Sequence, residues 1–313
     1  MQESSYHIPV MLSEALEGLN IRPEGTYVDV TFGGGGHSRA ILERLGPEGR
    51  LYAFDQDEDA ARRVESGEWR AASGDQEAGF TFIHENFRHM KNFLRLHGVR
   101  QVDGVLADLG VSSHQFDVAE RGFSTRLDGE LDLRMDRRGE VTARDLVATL
   151  PEEELGRLLK LYGELPNARQ MARAIVKARG EREIATTFDL REAVSHHLPR
   201  GMENKYLAML FQALRIEVNG ELEALKEMLA QAGELLVPGG RLVVISYHSL
   251  EDRLVKNFMR SGNFEGEEEK DFYGNVLSPM QPVVRKALQA SDEEVARNSR
   301  ARSARLRVGM RRQ

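Results

Sequence analysis

The sequence predicts an α/β fold: a doubly wound parallel sheet with an all-helical segment inserted into it. Three observations predict it. Tyr27–Leu42, YVDVTFGGGGHSRAIL, runs from a β-branched and aromatic stretch through four consecutive glycines into the apolar spacing of a helix packed on a sheet. Further short apolar runs, Leu51–Phe54, Phe80–His84, Val102–Leu106 and Arg241–Ser246, are each followed or preceded by helical patterns, the alternation that builds parallel strands. From about Val118 to Asn219 no strand alternation appears.

At the first strand, glycine separates strand from helix. Gly33 to Gly36 let a backbone approach a ligand without Cβ clashes, and amides at the helix N-terminus face the same space. The dinucleotide fingerprint fits imperfectly: Gly33-x-Gly35 is present, but Ser38 holds the third glycine position, so other glycine-rich turns stay open. Asp29 on the strand and Asp55 at the end of the next narrow the choice. Asp55 lies twenty residues beyond Gly35, where a doubly wound fold places the carboxylate that accepts hydrogen bonds from ribose hydroxyls. An adenosine-bearing cofactor is the leading expectation; the plainer alternative is an empty loop with Asp55 capping the next helix.

At 313 residues and 41% hydrophobic, the chain can make one large domain or two modest ones. No run approaches the roughly 18 apolar residues of a membrane span, and MQESSYHIPV lacks a basic region followed by an apolar segment. Without cysteine there is no disulfide, thiolate zinc site or cysteine nucleophile, which suits a cytoplasmic protein. A formal charge of −7 excludes a molecule that is cationic as a whole. Locally the balance reverses: Arg297 to Gln313 holds seven arginines and no acid, while Glu265–Asp271 is an acidic block. A basic tail could track phosphates, or simply be a solvated terminus.

In order along the chain, His7–Asn20 reads as a lead-in helix, Glu58–Val64 as a short helix and Ser66–Gly79 as a polar surface loop. Phe87 falls just past the third strand, where its ring could lie against a planar base or fill the core. Met90–His97 is helical, and the fourth strand leads into ADLGVSS. Gly33–His37, Asp55, Phe87 and Asp108 then share the carboxyl ends of strands, where open parallel sheets hold ligands. The insert opens on an irregular Glu120–Asp136 and continues as helices over Ala143–Thr149, Glu152–Tyr162, Asn167–Arg179, Asp189–His197 and Lys205–Glu217. On the third of these, Arg169, Arg173 and Lys177 recur at i, i+4, i+8, a basic stripe that is either solvated or in contact with RNA. His196 and His197 are adjacent and point apart, so no metal site is expected. Glu221–Leu236 is an amphipathic helix broken by Pro238-Gly239-Gly240 before the buried strand RLVVIS, whose end carries Tyr247, His248, Ser249, Leu250, Glu251 and Asp252. Leu306–Val308 could add a last edge strand. The expected domains are a sheet domain over 1–117 and 220–313 and a helical, substrate-recognising insert over 118–219.

Such a sheet admits a dehydrogenase or a methyltransferase. A dehydrogenase normally repeats the mononucleotide half, whereas here a helical insert and a helix–PGG–strand unit follow the fourth strand. Acids on strand one and after strand two, with the late PGG turn, resemble Rossmann-like S-adenosylmethionine-dependent methyltransferases, although Thr31 stands where their first glycine is expected. The resemblance then becomes closer. HIPVMLSEAL, DVTFGGGGHSRAIL, DGVLADLGVSSHQFD, RGFS with LDLRMD, RIEVNGELEAL, LVPGGRLVVISYHSLEDRLVK and NSRARSARLR are similar to the RsmH family, also called MraW, in order over nearly the whole chain. These are bacterial methyltransferases that modify N4 of a cytidine in the decoding region of 16S rRNA.

The resemblance implies S-adenosyl-L-methionine as cofactor, held by Gly35, Gly36, His37, Asp55, Phe87, Asp108 and Gln115, with Gly33 beside them from the glycine turn; Gly34 stands where the family tolerates another residue. It implies 16S rRNA, within the small ribosomal subunit, as partner. For orienting the target amine the candidates are the turn Asp108 to Ser113, including Ser112 and Ser113, and His248 and Ser249 opposite it. For holding RNA they are Arg169, Arg173, Lys177, Arg300, Arg302 and Arg305. The alternatives are a small-molecule methyltransferase and a non-catalytic rRNA-binding assembly factor; no membrane partner is expected, and a homodimer is left open.

Overall fold

In the computed structural model, which describes residues 9–69, 79–274 and 276–313, the chain enters through α1 (Leu12–Leu19) and β1 (Thr26–Asp29). It then alternates through α2 (Gly36–Leu42), β2 (Arg50–Phe54), α3 (Glu58–Glu65), β3 (Phe80–Ile83), α4 (Met90–Leu96) and β4 (Val102–Asp108). Next come the helices α5 (Ser113–Asp117), α6 (Ala143–Thr149), α7 (Glu152–Gly163), α8 (Ala168–Glu181), α9 (Thr187–Val194) and α10 (Glu203–Asn219). After α11 (Glu221–Leu235) the strands return: β5 (Leu236–Ser246), α12 (Ser249–Ser261), β6 (Met280–Pro282), β7 (Leu288–Gln289), α13 (Asp292–Arg297) and β8 (Arg305–Arg311). Residues 1–8 and 70–78, and with them the start of the expected lead-in helix and most of the expected polar loop, lie outside the described residues.

Two compact units result, Met1–Gly110 with Leu222–Gln313, and Val111–Glu221. In the first, strand order is β3-β2-β1-β4-β5-β8-β6, with β7 also beside β8. Helical crossovers make β1 to β5 parallel. Side chains alternate between two buried layers: Val28, Tyr52, Phe54, Val105, Ala107, Leu242 and Val244 face one, and Tyr27, Leu51, Ala53, Leu106, Val243 and Ile245 the other. Helices on both faces therefore explain why these strands read as continuous apolar runs.

Three expectations change. Leu306–Val308 is no edge: β8 lies between β5 and β6, antiparallel to both, because Leu306 and Val308 alternate with arginines and bury on the same layer as Val243. The sheet is thus mixed rather than parallel. The PGG turn sits inside β5, where Leu236 opposes Val102 but Arg241 already opposes Gly104, so Val237–Gly240 bulge from the ladder, Gly239 taking φ 83°.

The second unit has its own core, including Leu131, Val147, Leu159, Met171, Ile175, Leu210 and Leu214. Val111 and Phe116 pack against that core, so the division falls between Gly110 and Val111 and between Glu221 and Leu222, rather than at 118 and 219.

Candidate functional site

Strand order reverses between β1 and β4, and two carboxylates of the sheet unit stand at their ends. Asp29 is fully buried, which raises its pKa; the facing His37 and its hydrogen bonds act against that rise. Ser38 Oγ donates to Asp29 Oδ2 at 2.7 Å, and the Thr31 amide to Oδ1 at 3.1 Å. Thr31 Oγ1 in turn accepts the Asp108 amide at 2.6 Å, tying β1 to β4. The two departures from a glycine pattern, Thr31 and Ser38, thus have one cause: they satisfy a buried acid.

Gly33 and Gly35 adopt φ of 50° and 75°, and the Gly35 amide closes a turn on the Phe32 carbonyl at 2.7 Å. Asp55 faces this turn. Its Oδ2 accepts the Gly33 amide at 2.6 Å and its Oδ1 the Asp57 amide at 2.9 Å. The cap of α3 is Asp57, not Asp55. Burial pushes Asp55 up to about 7 against the pull of those two amides, with Asp57 and Asp29 adding repulsion. A carboxylate has about four acceptor positions, so each oxygen of Asp55 keeps room for one more donor.

The protein's own side chains cover part of the turn. Trp69, in the stretch expected to be a polar surface loop, is buried and donates Nε1–H to the Gly35 carbonyl at 3.2 Å. A Cβ on Gly35 would lie 2.1 Å from that nitrogen, and one on Gly36 would meet Pro9 at 2.3 Å. Glycine at 35 and 36 is therefore required by internal packing as well, while Gly34 stays exposed and Gly33 and Gly36 partly so. Phe87, opening a 3₁₀ turn to His89, is half-buried against the sheet core.

Asp108, with a side chain 22% exposed, is raised to about 6 by burial; His37 and a hydrogen bond from Tyr247 pull it down, and Asp29 and Glu251 push it up. The Tyr247 hydroxyl donates to Asp108 Oδ1 at 2.7 Å. Burial and the Asp108 charge hold that phenol well above 10. On the other side, His37 Nδ1 lies 3.8 Å from Asp108 Oδ2 while its Nε2 is 3.1 Å from the Val10 carbonyl. His248 and Ser249 do something else: His248 is the N-cap of α12, its Nδ1 accepting the Glu251 amide at 3.4 Å, and Ser249 is the first helical residue. Tyr247 is thus the residue of the YHSLED turn that reaches Asp108, rather than the favoured His248 and Ser249. Its place immediately beyond the β5 strand was the available signal.

The remaining candidates separate by unit. In the helical unit, Ser112 caps α5 in a reciprocal box with the buried Gln115, and Ser113 opens that helix. Arg169, Arg173 and Lys177 form an exposed stripe on α8, opposite buried Met171, Ala172 and Ile175, with Arg173 Nε 3.3 Å from Glu152. In the sheet unit, the expected tail is structured. Arg300 is half-buried and Arg302 exposed in a 3₁₀ turn, Arg305 is exposed at the start of β8 with Nη1 3.4 Å from Asp252, and Arg307 grips Asp252 through two bonds of 2.7 and 3.0 Å.

No helix among the described residues is long and apolar enough to cross a membrane. Among curated proteins, the Ribosomal RNA small subunit methyltransferase H of Bacteroides thetaiotaomicron is 56% identical over 306 residues, spanning 98% of this chain and 97% of that protein. The proteins of the same name from Phocaeicola vulgatus and Flavobacterium johnsoniae are each 55% identical, covering 98% and 97% of this chain and 98% and 97% of their own. The model of the MraW methylase family matches residues 4–312, and with relatives of this identity over almost the full length, the chain belongs to the MraW methylase family.

Proposed function

We propose that this protein transfers a methyl group from S-adenosylmethionine to the exocyclic N4 of a cytidine in the decoding region of 16S rRNA. Family membership and the names of its relatives support rRNA methylation. The observation that carries the chemistry is the pair of acids Asp55 and Asp108 at the carboxyl ends of β2 and β4, one on each side of β1 and its glycine turn, where strand order reverses.

The residues fit a nucleoside. Asp55 retains one acceptor position on each oxygen, matching two ribose hydroxyls, and Gly34 leaves the turn open on one side. When bound, S-adenosylmethionine supplies an electrophilic methyl group on a sulfonium. The protein's part is to align a poor nucleophile, since the cytosine amine's lone pair is delocalised into its ring. Alignment is worth about 7–11 kcal/mol, against about 3–5 kcal/mol for a general base, so positioning dominates. In this reading Asp108 accepts the amine hydrogen and takes its proton. The base must leave any stack first, at a cost of about a few kcal/mol.

RNA is gripped elsewhere by local cations, the exposed Arg169, Arg173 and Lys177 and the arginines Arg300, Arg302 and Arg305. Replacing the α8 trio by Gln flattens the dependence of RNA affinity on salt if they meet phosphates; an unchanged slope removes them.

The test is incubation with labelled S-adenosylmethionine and small-subunit particles or naked 16S rRNA, followed by mapping of the methylated base. Label on N4 of a decoding-region cytidine, lost in Asp108→Asn, supports the reading. Label on another atom overturns the N4 assignment, and no label in RNA overturns the activity.

A further inference from the structure

Asp108 stands between two unlike neighbours. From the end of β5, Tyr247 donates a hydrogen bond to Oδ1. Its phenol holds its proton at neutral pH, so it orients without exchanging. From α2, buried His37 offers the opposite character. Its Nε2 faces the Val10 carbonyl, a group that only accepts, so Nε2 carries the hydrogen and Nδ1 of the neutral ring carries a lone pair. That lone pair faces Asp108 Oδ2 at 3.8 Å, and a shift of about 0.6 Å brings it to hydrogen-bond length. Once protonated, His37 favours ionised Asp108, whereas Asp29 from β1, which also faces His37, and Glu251 from α12 oppose that ionisation.

Resting on the reading of Asp108 as acceptor of the target amine, we propose that Tyr247 and His37 are its positioning partners. Tyr247 pins Oδ1 so that Oδ2 meets the amine, and His37 Nδ1 removes the proton that Oδ2 collects. In balance, the nitrogen–carbon bond forms as the methyl–sulfur bond breaks, leaving the amine nitrogen positive. One N–H proton then passes to Asp108 Oδ2 and on to His37 Nδ1. The carboxylate and imidazolium that remain form an ion pair, and the proton leaves through Asp108, the more exposed of the two, to solvent before the next turnover.

Two variants isolate the parts. Tyr247→Phe deletes only the hydroxyl; His37→Gln keeps an N–H for the Val10 carbonyl but has no base, with His37→Asn in its place if the first does not fold. Two readings are taken over about pH 5.5 to 8.5: single-turnover methyl transfer to small-subunit particles, and the carbon-13 carboxyl titration of Asp108 in the protein alone, assigned by its loss in Asp108→Asn. Tyr247→Phe is expected to move both midpoints up by about one pH unit. At saturating S-adenosylmethionine, His37→Gln is expected to slow single turnover about 10- to 100-fold with RNA affinity unchanged. A Tyr247→Phe titration that superimposes on the wild type overturns the role of Tyr247, and a wild-type rate in a folded His37 variant overturns that of His37. A wild type that transfers no methyl group overturns the methylation reading instead, and the Asp108 titration then still decides the Tyr247 coupling.

Discussion

With Asp55 as the proposed ribose acceptor, one side chain would tie pH to ligand capture. Only its ionised form offers both oxygens as acceptors, and burial places its titration at about 7. Calorimetry with S-adenosylhomocysteine is expected to show binding about tenfold weaker at pH 6 than at pH 8, a difference that vanishes in Asp55→Asn. Asp108 gives a second, ligand-free test. Its folded pKa of about 6 exceeds the ordinary 3.8, so its contribution to stability is complete below about pH 4 and is lost as pH rises through about 6. In urea unfolding, the stability of the wild type relative to Asp108→Asn should therefore decline between those limits and then level off; a constant difference refutes the shift. The residues beneath these acids show what sequence reveals. The glycines were legible because positive φ and close approach are written locally, whereas Trp69 on Gly35 is a contact between residues 34 apart and Tyr247 on Asp108 one between residues 139 apart.

At the level of elements, the arginine-rich final segment is the instructive case. Composition made it a tail, yet Arg305-Leu306-Arg307-Val308 already alternates with a period of two, and the structure follows that alternation into β8. What the sequence could not supply was Asp252, on a helix more than fifty residues earlier. Burial pushes Asp252 up, and Arg307 and Arg305 outweigh it, holding the carboxylate below its ordinary value. Arg307→Ala leaves this buried acid with only the looser Arg305 and is expected to cost about 2–4 kcal/mol in urea unfolding. A change near zero would show that β8 is held by its apolar residues alone. Strands were legible because burial on both faces makes them continuous apolar runs; the antiparallel pairing of β8 was not, because direction is set by partners distant in sequence.

For the molecule as a whole, the two units differ in kind. Val111–Glu221 is one uninterrupted stretch with a core of its own, so that fragment should fold alone, giving a helical circular dichroism spectrum and a cooperative melt. The sheet unit is discontinuous. Residues 1–110 alone would leave β4 without β5 and expose Val105 and Leu106, and should stay unfolded or aggregate. This discontinuity governs the timing of assembly. The partner of β4 arrives only after the entire helical stretch, and β8, the neighbour of β5, arrives later still, so long loops must close before the central ladder gains a bond. Collapse of the helical stretch shortens the first of those loops. After a jump out of denaturant, helical ellipticity should recover first and burial of Trp69 beside the glycine turn last, making that turn the slowest part of the protein to come into being.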